Sequence, residues 1–173
     1  DDRSRGYEPE LGYVADLIRN ALPELKSRGI QLAVENHDRF RAGDFIWLIE
    51  KLADRQVGIC LDCANSIGAG ESIFETLELL APYAINLHLK DIQIKRKSHM
   101  MGFDIEGVAF GRGIVPLEKI ISLVQEDCKT AILELWMPPA NTWDETFEKE
   151  DQWVKESLNH LKSITSDKNT KST

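Results

Sequence analysis

Leu32-Ala33-Val34-Glu35-Asn36-His37-Asp38 is an apolar run that stops in a carboxylate, an amide and an imidazole. A buried parallel strand delivering polar groups to the end of a sheet has this form. The grammar recurs in Val57-Gly58-Ile59-Cys60-Leu61-Asp62, in Ile85-Asn86-Leu87-His88-Leu89-Lys90 and in Ala131-Ile132-Leu133-Glu134-Leu135-Trp136. Strand side chains alternate between faces. On all four runs the branched aliphatics take one parity. Glu35, Asp62, His88 and Glu134 take the other, near the carboxyl end.

Between these runs the apolar spacing turns helical. Residues 9–28 carry Leu11, Val14, Leu17, Ile18, Ala21, Leu22 and Leu25 at three- and four-residue intervals, with Pro23 expected to kink or restart the helix and Gly29 to stop it. Further helices are expected at 42–54, 73–80, 117–126 and 145–161. The connection from Asp91 to Val115 is long for a structureless loop and reads as a binding loop or lid. Residues 163–173 read as a polar, disordered tail after a domain at 1–162. Strand–helix alternation with short joins implies parallel strands and crossover helices. Four such units fit either an open four-stranded α/β sheet or half of an eight-fold barrel, which needs about 250 residues.

Composition narrows the function. The chain has 173 residues, is 42% hydrophobic and carries a net charge of −8. An acidic chain without a Lys/Arg stripe is poorly suited to nucleic acid. No apolar run is long enough to cross a bilayer, so no membrane partner is expected. The basic cluster from Lys90 to Lys97 is short enough to serve a small anionic ligand. Three cysteines without a disulfide framework point to the cytoplasm. Cys60-Leu61-Asp62-Cys63 straddles a strand end with no second pair, which favours buried small residues over a redox or zinc motif. The opening Asp1-Asp2-Arg3-Ser4-Arg5-Gly6 has no Met and reads as a loop within a longer chain.

Three carboxylates and one imidazole converging at strand ends would suit Mn²⁺, Mg²⁺ or Co²⁺ better than a thiolate-type zinc site. Without a cation, carboxylates that close repel one another. The bland alternative is that each group caps its own strand or pairs with a nearby Lys or Arg.

Glu35-Asn36-His37-Asp38, Cys60-Leu61-Asp62-Cys63-Ala64-Asn65, Asn86-Leu87-His88-Leu89-Lys90-Asp91 and Ile132-Leu133-Glu134-Leu135-Trp136 together resemble the sugar phosphate isomerase/epimerase proteins of the xylose isomerase-like TIM-barrel superfamily. The resemblance covers residues 9–162 and implies strands five to eight of a (β/α)8 barrel. It implies one divalent ion, Mn²⁺ foremost with Mg²⁺, Co²⁺ or Zn²⁺ as alternatives, on Glu35, Asp62, His88 and Glu134. It also implies that Glu35 and Glu134 act as an acid/base pair on a small polyhydroxylated substrate, passing its proton through an enediolate. His37, Asn65, Lys90 and Arg96 are the expected substrate contacts. Asn65 stands where many relatives carry His, and Ile94 where the ketose 3-epimerases carry Arg, which leaves a metal-dependent lyase or dehydratase as the alternative enzyme. A non-catalytic half-barrel is the third reading. Either half-barrel reading calls for an N-terminal half or a second copy as partner. Trp136 is expected in the barrel-end core, and His160 on an ordinary surface.

Overall fold

The structure is a computed structural model that describes residues 10–169, with side chains described as far as 165. Its strands β1 (Leu32–Glu35), β2 (Val57–Asp62), β3 (Ala84–Leu89) and β6 (Thr130–Leu133) form one four-stranded sheet in that order. β1 runs parallel to β2, with Leu32 opposite Val57 and Glu35 opposite Cys60. The remaining strands, β4 (Asp91–Arg96) and β5 (Phe103–Val108), form a separate antiparallel pair. Backbone contacts divide the chain into two units, residues to 87 with 123–130, and residues 88–122 with 131 onward.

In the first unit, α1 (Leu11–Arg28) buries Ala15 and Leu22 and ends where Gly29, at φ 65°, turns its N–H back to Lys26 O at 3.1 Å. Pro23 does not split α1 into two helices. It stands on an exposed turn, so the Arg19 carbonyl that its missing N–H leaves behind faces water. α2 (Ala42–Leu52) buries Phe45 and Leu48, and both Glu71 oxygens accept its first N–H, at 3.0 and 3.1 Å. β2 is buried along its whole length. A 3₁₀ turn, Asn65–Ala69, and α3 (Ile73–Leu80) follow it. Ile59, Leu61, Leu77 and Leu80 are fully buried in this unit, each contributing about 1.5–3 kcal/mol.

In the second unit, the expected loop or lid is a β-hairpin, with Ile94 opposite Ile105 and Arg96 opposite Phe103. The period-two alternation of Ile92-Gln93-Ile94-Lys95 with Phe103-Asp104-Ile105-Glu106 explains it. The polar face pairs Lys95 with Glu106 at 3.0 Å and Lys97 with Asp104. The apolar face leaves Ile94, Phe103 and Ile105 exposed. Gly107 is required where the hairpin meets Trp136, because a Cβ there would run into the Trp136 carbonyl. α4 (Leu117–Leu123) is shorter than expected, and buries Leu117 and Ile120.

α5 (Trp143–Asn169) begins with Thr142 as its cap and runs past the expected end. Residues 163–169 are therefore helical rather than a disordered tail. That stretch has no Pro or Gly, and the Ser163 and Thr165 hydroxyls bond back to the His160 and Leu161 carbonyls. The rest of the expected tail, 170–173, lies outside the described residues, as do residues 1–9. His160 is not ordinary surface, since its ring packs on Phe110 with centroids 6.1 Å apart, and against Gly111. No helix among the described residues is long and apolar enough to cross a membrane.

Candidate functional site

Glu35 ends β1, and beyond it the ladder gives way to side-chain bonds. Asn36 is fully buried. Its Nδ2 donates to Asp62 O at 3.0 Å and to Ser66 Oγ at 3.1 Å, while its Oδ1 accepts from Asp62 N at 2.7 Å. The amide thus continues the β1–β2 pairing past the end of the strand. Asn36 has the parity of Leu32 and Val34, and a polar group on an aliphatic face is the signal that marks it. Replacing Asn36 with Ala orphans these groups, with an expected loss of about 2–3 kcal/mol in thermal or urea unfolding.

Asp62 is completely buried. Its Oδ1 accepts the backbone N–H groups of Ala64 at 2.9 Å and Asn65 at 2.8 Å, forming a local Asx turn. Asn65, 5% exposed, gives its Nδ2 to Glu35 Oε1 at 3.0 Å and to the Asn36 carbonyl at 3.3 Å. Asn65 is therefore a support for Glu35 in this structure. His37 lies past the strand end, exposed, with Nδ1 on the Asp38 carboxylate.

In the second unit, His88 lies near the end of β3, and Glu134 is one residue beyond β6. The strand expected at 131–136 stops at Leu133, but Glu134 N still bonds Leu89 O at 2.9 Å, which keeps it in register. His88 Nδ1 lies 2.8 Å from Glu134 Oε2. Glu134 Oε1 accepts from Lys90 Nζ at 2.8 Å. Lys90 is 1% exposed, and its ammonium stands 4.8 Å from the centroid of the Trp136 ring. A buried lysine needs such a partner. Trp136 is accordingly not barrel-end core but a half-exposed cover for that ion pair, 39% exposed.

The basic cluster is spoken for. Lys90, Lys95 and Lys97 each hold a carboxylate, and Arg96 bonds the Met100 carbonyl at 3.0 Å while lying over the Phe103 ring. Arg96 is at the outer end of β4, about 16 Å along the strand from Asp91. Asp91 was not singled out from sequence, yet it organises the unit. Its Oδ1 accepts Ile92 N at 2.9 Å and Val115 N at 3.0 Å, and its Oδ2 accepts Gly111 N at 3.0 Å and Gly113 N at 2.7 Å. The Gly111-Arg112-Gly113 turn is an anion cradle filled by the protein's own carboxylate.

Glu35, Asp62, His88 and Glu134 each offer one ligand atom, and these atoms lie within 4.8 Å of one another. The donor set fits a small divalent ion. Two neighbouring ligands on one such ion, each bonded at about 2.1 Å and at right angles, are about 3 Å apart, and His88 Nδ1 and Glu134 Oε2 have that spacing. The cysteines offer no competing chemistry. Cys60 and Cys63 are buried, and burial pushes the Cys128 thiol up, away from the reactive thiolate.

A parallel sheet with an acidic/His cluster at its strand ends defines a class, and the comparisons with known proteins agree. The xylose isomerase-like TIM barrel family profile matches residues 2–164, and the chain belongs to that family. It is 30% identical over 160 residues to the 3-oxo-isoapionate decarboxylase of Pectobacterium atrosepticum, an enzyme, covering 91% of this chain and 58% of that protein. The xylose isomerase domain protein from Planctomyces limnophilus superposes with a TM-score of 0.69 at 20% identity, covering 91% of this chain and 56% of that one. A xylose isomerase-like TIM barrel protein from Mycobacterium smegmatis, solved in complex with magnesium, superposes with a TM-score of 0.65 at 16% identity, covering 86% and 52%. The chain thus spans between half and three-fifths of the length of these relatives.

Proposed function

We propose that this chain carries the metal-binding part of a divalent-metal-dependent lyase that decarboxylates a small polyhydroxylated 3-oxo acid. Glu35, Asp62, His88 and Glu134 hold the ion, with Mn²⁺ the first candidate among Mn²⁺, Mg²⁺, Co²⁺ and Zn²⁺. When bound, the ion supplies Lewis-acid polarisation of the substrate's oxo oxygen. Loss of CO2 breaks the bond between the carboxyl carbon and its neighbour, leaves the electron pair in an enolate, and ends when a solvent proton reaches that neighbouring carbon.

The engagement of both candidate acid/base carboxylates carries this choice over the isomerase/epimerase reading. Glu134 has Lys90 on one oxygen and His88 beside the other, and Glu35 has Asn65 on Oε1. A carboxylate tied to a buried ammonium is a weak base for a carbon-bound proton. Decarboxylation needs no such base. The likeness to the Pectobacterium decarboxylase supports the same choice. On this reading Asn65 and Lys90 position ligands. His37, exposed two residues beyond Glu35, is a candidate substrate contact, whereas Arg96 stands at the outer end of β4.

In D2O, the purified protein with Mn²⁺ and a panel of polyhydroxylated 3-oxo acids is expected to release CO2 and place one deuterium on the carbon that lost it. Exchange of a ketose α-proton for deuterium without CO2 release would instead establish the isomerase/epimerase reading, with Glu35 and Glu134 as its acid/base pair. β1 and β6 are the outer strands of the described sheet. We also propose that further strands, from a longer chain or from a second copy, pair with them, since bare parallel edges invite aggregation. We further propose, from the cysteine usage and acidic charge, a cytoplasmic protein that acts on a small molecule and not on nucleic acid.

A further inference from the structure

The apolar face of the β4–β5 hairpin lies open. Ile94, Phe103 and Ile105 share it by register, and the Arg96 guanidinium lies 4.3 Å from the centroid of the Phe103 ring. Arg96 also holds the Met100 carbonyl at 3.0 Å, which ties the turn carrying Met100 and Met101 to that end of the hairpin. These five apolar residues are between 44% and 83% exposed. At about 200 Å² for each side chain laid fully open, they present about 600 Å². That is the upper end of the largest patches on monomeric proteins. The ribbon is also held in shape. Its opposite face is fastened by Lys95 on Glu106 at 3.0 Å and by Lys97 on Asp104. The turn is closed by Lys97 N on Gly102 O at 3.1 Å and Met100 N on Lys97 O at 2.9 Å. A two-stranded ribbon with a bare apolar face is marginal in water and gains from being covered.

We propose that a second copy of this chain covers this face, the two hairpins packing apolar side to apolar side about a two-fold axis. Charge selects that occupant. From Asp91 to Val108 three Lys/Arg balance three Asp/Glu, so the segment is neutral within a chain of net charge −8. Two copies repel one another over most of their surfaces and can meet here without a charge conflict. An anionic membrane would repel the same chain, and Arg96, the one cation on the face, is engaged by Phe103 and Met100. A two-fold contact uses the same patch twice. About 600 Å² from each copy makes about 1,200 Å² in total, the lower bound for stable interfaces. Strand pairs packed face to face lie about 10 Å apart, which sets the isoleucines and phenylalanines of the two copies against one another. This surface is separate from the outer edges of β1 and β6, and the contact does not depend on metal at the cluster.

Sedimentation velocity of the full-length protein, from about 0.1 to 100 μM, is the test. Wild type is expected to dimerise with a Kd on the order of 10 μM. Ile105→Glu is expected to raise that Kd at least about 100-fold, because it sets an unpaired carboxylate in each half of an apolar contact. Lys95→Gln, on the opposite face, should stay within about threefold of wild type. Met101→Glu, at the most exposed residue of the patch, should raise the Kd about tenfold. It keeps the test decisive if circular dichroism shows that Ile105→Glu has not folded. An assembly that Ile105→Glu and Met101→Glu leave intact overturns the proposal, and so does a wild type that stays monomeric at about 100 μM. In that monomer, a Met101 that resists oxidation by hydrogen peroxide would assign the cover to another part of the same chain. Co-sedimentation of the monomer with phosphatidylcholine vesicles would assign it to a membrane.

Discussion

Asp91→Ala is expected to destabilise the protein by at least ~3 kcal/mol. Four backbone N–H groups, those of Ile92, Gly111, Gly113 and Val115, converge on its two oxygens at 2.7–3.0 Å. Asp91 itself is 1% exposed. Alanine leaves all four donors without that acceptor. Ile92 and Val115 are buried, whereas Gly111 and Gly113 are exposed and can turn to water, and each buried orphaned donor costs about 1–3 kcal/mol. Partial relaxation and water entry bring the sum down to the figure above. The melting temperature should fall by about 6–12 °C. Asp91→Asn should lose less, because one carbonyl oxygen remains, although its amide nitrogen then faces two donors. The turn cannot rescue the loss by side-chain substitution, since a Cβ at Gly113 would run into the Asp91 carboxylate and the Ile92 carbonyl. A melting temperature within ~2 °C of wild type in Asp91→Ala would show that the cradle contributes little.

Asp62→Asn is expected to abolish the stabilisation that Mn²⁺ confers while leaving the metal-free protein nearly as stable as wild type. The asparagine carbonyl can keep the bonds to Ala64 N and Asn65 N that Asp62 Oδ1 makes now. What changes is the other atom, where a charged oxygen becomes an amide that cannot bind a cation. In wild type, metal at about 100 times its dissociation constant adds about 2.7 kcal/mol, a rise of about 5–10 °C in melting temperature. Chelation should reverse the rise. In Asp62→Asn the rise should vanish, because losing a ligand costs at least the 10- to 100-fold in affinity typical of changes one shell further out. Differential scanning calorimetry with and without Mn²⁺ measures both quantities in one experiment. An equal Mn²⁺-dependent rise in wild type and Asp62→Asn would remove Asp62 from the ligand set.

Much of this architecture is legible from local pattern. The 3.6-residue spacing marks α2 and α3, and the latter spans Ile73–Leu80 as the spacing predicts. The apolar runs mark the four strands of the main sheet. Pattern fails where a second signal competes with it. The hairpin at Asp91–Val108 is overshadowed by its basic, Met-rich turn, and the period-two alternation of its strands is easily passed over. Past residue 162, Ser, Thr and Asp read as tail residues, whereas two of the hydroxyls in that segment return their bonds to the helix.

The sequence by itself determined that Glu35, Asp62, His88 and Glu134 occupy one parity near the ends of four strands, because alternation is a property of the extended backbone and needs no partner. It could not say which atom of each group is committed elsewhere. That depends on residues distant in the chain, Asn65 for Glu35 and Lys90 for Glu134, 30 and 44 positions away. Asp91 likewise finds three of its four donors 20 to 24 residues downstream. Hydrogen bonds act over about 3 Å, so only the folded chain decides which of these groups meet.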